Sequence, residues 1–139
     1  MSDELIPLGT RVTFAKTVSE TDIYLFAGIT GDFSPNHVNA EYMRATPYGG
    51  IIAHGVLVIG LMSTCSTKIL EQANLGRAVV SYGYDRVRFV KPVRVGDTIT
   101  VLYEITASDP AQQRTEAAVT ATNQHGEIVA VATHILKYL

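Results

Sequence analysis

From His54 to about Ala73 the chain carries no turn signal. Val56, Leu57, Val58, Ile59, Leu61, Met62, Ile69 and Leu70 point round nearly the whole circumference of the helix that this implies. A helix apolar on all sides has to be covered on all sides. At 1.5 Å per residue, the rod is roughly 30 Å long. Asn74-Leu75-Gly76 ends it with residues suited to a helix C-cap. A chain of 139 residues has room for one domain, 1–139, and in so small a protein only a sheet curling round the rod can supply the cover.

The second half offers that sheet. Ile99, Val101, Tyr103 and Ile105 alternate with Thr98, Thr100, Leu102, Glu104 and Thr106. Thr115, Ala117, Val119 and Ala121 alternate with Arg114, Glu116, Ala118, Thr120 and Thr122, and Glu127 to Leu136 is a third run rich in Val and Ile. Such two-residue periods mark half-buried strands. Asp109-Pro110 and Asn123-Gln124-His125-Gly126 supply turns between them, and an earlier strand is predicted from Val79 to Val90, before Pro92. Gly96-Asp97 turns into the next strand. Upstream, Arg11 to Ala15 alternates as a short strand. Ser19-Glu20-Thr21-Asp22 opens a helix, closed by Gly28 and Gly31: Ser19 caps a free N–H and Asp22 suits the positive end. Patterning therefore predicts an α+β fold, an antiparallel sheet wrapped around a long central helix.

Composition removes several function classes. With 47% hydrophobic and 17% charged residues, the chain is not disordered. Eleven Lys and Arg against 13 Asp and Glu give a net charge of −2, which leaves no general electrostatic case for nucleic acid or an anionic membrane as partner. The apolar stretch Ile51 to Met62 is 12 residues long and contains His54, whereas a membrane span needs about 20. Met1-Ser2-Asp3-Glu4 lacks the basic start of a signal peptide. Cys65 stands alone, so no intrachain disulfide and no Cys-based zinc site is expected. A soluble cytoplasmic protein is the expectation.

Special residues are densest in Gly28-Ile29-Thr30-Gly31-Asp32-Phe33-Ser34-Pro35-Asn36-His37, an irregular connection directly after a helix. Asp32 and His37, five positions apart across a loop holding Pro35, could converge on one water molecule, one group accepting a proton while the other positions or donates. Spacing alone favours a plainer alternative, in which Asp32 caps a turn and His37 bonds to nearby backbone.

The stretch Thr30 to His37 resembles the hydratase-2 signature of MaoC-like (R)-specific enoyl-CoA hydratases, a branch of the hot-dog superfamily; that signature reads small-Gly-Asp-x-Asn-Pro-aliphatic-His. Ala53-His54-Gly55 at the start of the long helix and Phe89-Val90-Lys91-Pro92-Val93-Arg94-Val95-Gly96-Asp97 before a strand extend the resemblance over nearly the whole chain. Ser34 stands where the signature has Asn, Asn36 where it has Ile or Leu, and Asn39 where Asp is frequent. The resemblance implies a single hot-dog domain whose Asp32 and His37 activate water. It further implies that the backbone N–H of Gly55 faces the thioester oxygen, where an N–H at a helix start stabilises developing charge, and that Ser63 supports the site from the same helix. The implied reaction is reversible hydration of a trans-2-enoyl-CoA to an (R)-3-hydroxyacyl-CoA. The implied partner is an acyl-CoA thioester, with no metal and no organic cofactor, and the implied assembly is a homodimer or a larger homo-oligomer. A hot-dog acyl-CoA thioesterase and a non-catalytic acyl-CoA-binding subunit are the rival readings.

His54 lacks the paired-His spacing of metal signatures and is expected to bond to backbone near the pocket. His125 in a turn and His134 in a strand are read as ordinary. Arg86, Arg88, Lys91 and Arg94 read either as a patch for CoA phosphates or as a solvated strand face, with Arg86 and Arg88 on one side and Lys91 on the other. Cys65 among apolar neighbours is read as packing. Tyr82, Tyr84 and Tyr103 fit either a pocket or the core.

Overall fold

The alternating runs become strands, as the period requires. The computed structural model describes residues 3–139, so Met1 and Ser2 of the acidic start lie outside the described residues. In chain order the elements are β1 (Arg11–Thr17), α1 (Glu20–Thr30), α2 (Pro35–Val38), α3 (Ala40–Arg44), α4 (Gly55–Ala73), β2 (Val79–Phe89), β3 (Thr98–Asp109), β4 (Arg114–Thr122) and β5 (Ile128–Tyr138). The strands form one antiparallel sheet ordered β1-β3-β4-β5-β2, with β1 and β2 at its edges.

Register follows burial. Val101, Tyr103 and Ile105 of β3 stand opposite Ala121, Val119 and Ala117 of β4, and all six are buried. The small β4 residues leave room for the larger ones, so one apolar face lies against α4. The Asn123 side chain shapes the β4–β5 turn by accepting from the N–H groups of His125 and Glu127 at 3.0 and 3.1 Å. Gly126, at φ 73°, supplies the left-handed residue there.

Helix α1 begins as its sequence dictates. Ser19 Oγ accepts from Asp22 N at 3.0 Å and Asp22 Oδ2 from Ser19 N at 2.9 Å, a reciprocal capping box. It runs through Gly28 and stops at Gly31, whose φ of 82° ends the helix. Asn74, at φ 46°, ends α4 in the same way.

Cover of α4 departs from expectation. Val58, Met62, Cys65, Ser66 and Ile69 are buried, whereas Val56, Gly60, Ser63 and Thr67 form an uncovered line, with Val56 59% exposed. Their spacing of four, three and four residues keeps them on one side of the helix. A five-stranded sheet curls round part of the rod, so a single chain satisfies the burial demand only in part. No helix of the described residues is long and apolar enough to cross a membrane.

Candidate active site

The loop after α1 is built from short local bonds. Thr30 Oγ1 donates to the Phe26 carbonyl at 2.8 Å and accepts from Asp32 N at 3.2 Å, turning the chain out of the helix. Asp32 Oδ1 accepts from Ser34 N at 3.3 Å, closing a tight turn. Pro35 then starts α2, its fixed φ suiting the first helical position, and His37 follows in the same turn.

Ile52 latches this loop to the approach to α4. Its N–H donates to the Asn36 carbonyl at 2.9 Å, and its own carbonyl lies 2.7 Å from His37 Nδ1. A carbonyl oxygen can only accept, so His37 donates through Nδ1, and its neutral ring then carries the lone pair on Nε2. One residue on, Ala53 N donates to the Val93 carbonyl at 2.7 Å, which ties the same segment to the loop after β2.

His54 completes the group. It is 2% exposed, its Nε2 lies 3.0 Å from the Asp32 carbonyl oxygen, and its ring stacks on His37 with 3.7 Å between centroids and 26° between planes. Donor atoms of Asp32, His37 and His54 all fall within 4.8 Å of one another, a separation that could hold a metal ion. The stacking argues for a different use: an ion in the plane of one imidazole stands out of the plane of the other, where no lone pair points. The expected backbone bond of His54 is present, and its bond to Asp32 in particular had no signal in the sequence.

His37 and Gly55 share a cavity of about 270 Å³, together with Ile52, Val58, Phe89 and Val129 among others. Asp32 is exposed and does not line that cavity. Gly55 is the first residue of α4, a position whose N–H has no intrahelical acceptor. A Cβ built on Gly55 would meet three carbons of the Phe89 ring at 2.8 Å. The missing side chain thus makes room for Phe89, which is 53% exposed.

Ser63 is not brought to this group. It lies on the uncovered line of α4, about 12 Å from Gly55 along the axis and outside the cavity wall. The four cations are also dispersed. Lys91 lines the cavity and pairs with Glu127, Arg94 donates to the Tyr48 carbonyl, and a bulge with Arg86 at φ 55° breaks the alternation that would have paired Arg86 with Arg88. Burial lifts the Cys65 thiol to about 11, so it is a packing group with no thiolate character near neutrality. Tyr103 is fully buried, Tyr84 is partly buried against the core, and Tyr82 is exposed.

A family model described as MaoC like domain matches residues 6–127. An (R)-specific enoyl-CoA hydratase of Rhodospirillum rubrum is 37% identical over 119 residues, covering 86% of this chain and 79% of that protein. A 3-hydroxybutyryl-CoA dehydratase of Methylorubrum extorquens is 33% identical, covering 86% of this chain and 73% of its own length. Among solved structures, the unliganded R-hydratase PhaJ1 of Pseudomonas aeruginosa superposes with a TM-score of 0.80 at 28% identity, over 96% of this chain and 82% of that one.

Proposed function

The chain belongs to the MaoC-like domain family, and from that membership we propose that it is a hydro-lyase interconverting trans-2-enoyl-CoA and (R)-3-hydroxyacyl-CoA. The observation that supports the reading is that His37 and Gly55 line one cavity of about 270 Å³, with a carboxylate oxygen of Asp32 within 4.8 Å of a His37 ring nitrogen.

In hydration, a water molecule sits between Asp32 and His37 Nε2. Asp32 accepts its proton as the oxygen bonds to C3, and His37 orients the water. The C2=C3 electron pair moves toward the thioester, placing negative charge on the carbonyl oxygen, which faces the Gly55 N–H. A donor fixed there stabilises the enolate without reorganising, an effect worth about 3 kcal/mol in comparable sites. A proton delivered through the same pair to C2 completes the addition, and dehydration is the reverse. The thioester acidifies C2, so the chemistry asks for no further electron sink. Retaining Oδ1 for Ser34 N leaves Oδ2 of Asp32 for water.

A homodimer is part of the proposal. We assign to a second copy the side of α4 that bears its uncovered line, together with the unpaired edge of β2, on which Tyr82 and Phe89 are exposed. Ser63 lies on that side, and its role in the site is assigned through it. A cytoplasmic setting suits a lone, buried, reduced Cys65.

The test is direct. With trans-2-butenoyl-CoA the protein should remove the enoyl absorbance without releasing thiol, and chiral analysis should give the (R)-3-hydroxy product. Asp32→Asn should lower kcat at least about 100-fold while the protein stays folded. Thiol release at the rate of substrate loss would instead mark a thioesterase, and full activity in Asp32→Asn would end the dyad assignment.

A further inference from the structure

His54 does not line the cavity, yet it is joined to each residue of the proposed site. It is covalently next to Gly55, its Nε2 bonds the backbone of Asp32 at 3.0 Å, and its face carries the ring of His37 at 3.7 Å. Phe26 also packs against it at 4.6 Å with planes 50° apart, so the ring is held from α1 as well.

Stability alone would not choose a histidine here. The Asp32 carbonyl can only accept, so His54 donates through Nε2, and the neutral ring leaves Nδ1 as a buried lone pair with no hydrogen-bond partner among the described residues. An unpaired buried acceptor is destabilising, and a phenyl ring would fill the same space without that cost. What imidazole adds over phenyl is the N–H to Asp32. What it adds over an amide is the flat face under His37. Each property is directed at one member of the dyad.

We infer that His54 is a positioning residue that fixes the Asp32 backbone through Nε2 and the His37 ring plane through stacking, and so holds both groups in register with Gly55. The inference rests on the dyad proposed above. Misplacing a reacting group by about 1 Å can cost two orders of magnitude in rate, so these contacts are large enough to govern turnover.

Two substitutions separate the contacts. His54→Phe keeps a ring under His37 and removes the bond to Asp32, whereas His54→Gln keeps an N–H donor and removes the ring. Single-turnover rates with trans-2-butenoyl-CoA should fall about 10- to 30-fold for each, with KM changed less than about 3-fold. In an Asp32→Asn background, His54→Phe should cost less than about 3-fold, because the carboxylate it misplaces is no longer there. In a His37→Ala background, His54→Gln should likewise cost less than about 3-fold. Equal losses in wild-type and dyad-variant backgrounds would mark a merely structural histidine and overturn the inference, as would a wild-type rate in His54→Phe. Failure of the dyad itself reads out separately, as full activity in Asp32→Asn or His37→Ala alone. Should His54→Phe not fold, judged by thermal unfolding, the His54→Gln and His37→Ala pair still decides.

Discussion

Acid stability should be controlled from the middle of the sheet, by His134. Its side chain is fully buried on β5, with Nδ1 2.7 Å from the Tyr103 hydroxyl, Nε2 2.7 Å from Ser81 Oγ, and the Tyr84 ring stacked at 4.2 Å. Burial strips water from the charged form and lowers the imidazole from its ordinary value of 6.5 to about 4. Between those two values the unfolded chain binds a proton that the folded chain refuses. Stability contributed by neutral His134 is therefore complete above pH 6.5 and is lost as pH falls toward 4. At about 1.4 kcal/mol per pH unit, the loss over that window is about 3 kcal/mol, a large share of an ordinary domain's stability. The measurement is urea denaturation at fixed protein concentration from pH 7.5 to 4, on wild type and His134→Gln. The variant should be less stable at pH 7.5, because the hydroxyls lose part of their partner, and should show a slope shallower by about 1.4 kcal/mol per pH unit between 6.5 and 4. Parallel curves for the two proteins would refute the reasoning, since the groups they share contribute the same slope to both and only His134 differs.

Gly55→Ala drives a methyl group into the Phe89 ring, and because that half-exposed ring can turn aside the cost should be about 1 kcal/mol, the low end of overpacking. Adding Phe89→Ala should abolish that penalty, and an unchanged cost in the double variant, read from thermal unfolding, would contradict the contact. Ser19→Ala removes one arm of the α1 capping box and should cost about 1 kcal/mol in chemical denaturation. Its kcat should stay within about 2-fold of wild type, because the cap lies at the end of α1 remote from Asp32; a larger fall would mean the loop depends on the helix start.

Patterning resolved the strands and α4 because both are burial problems with fixed periods. Ile99, Val101, Tyr103 and Ile105 can hide on one face only as a strand, and the Ser19–Asp22 box can form only at a helix start. The uncovered side of α4 was not legible, since Val56 and Leu61 read as equally apolar and only the reach of the sheet separates them. Within the candidate site, Asp32 and His37 were singled out by their spacing and by resemblance, and Gly55 by resemblance alone. The Ile52 backbone and the His54 ring were missed for a physical reason: a carbonyl that fixes a tautomer leaves no trace in residue type, and stacking needs the distance between two rings 17 positions apart. His134 was passed over in the same way. An alternating strand shows that its face is inward, but not that two hydroxyls and a tyrosine ring meet it there.

The plainer reading of Asp32 and His37 and the chemical one are not rivals. Asp32 does close a turn, through Oδ1 and Ser34 N, and His37 does bond to backbone, through Nδ1 and the Ile52 carbonyl. Each structural bond uses one of two polar atoms and leaves the other: Oδ2 of Asp32, and in the neutral imidazole the lone pair on Nε2. A histidine free of Ile52 would divide its time between tautomers, and only one of them can accept from water. A carboxylate free of Ser34 would sample rotamers that carry it away from the imidazole. The commonness of Asp and His in turns therefore says little against chemistry at this loop. In the proposed dyad it is the turn bonds, together with the His54 contacts to both residues, that would make the geometry reproducible on so short a segment.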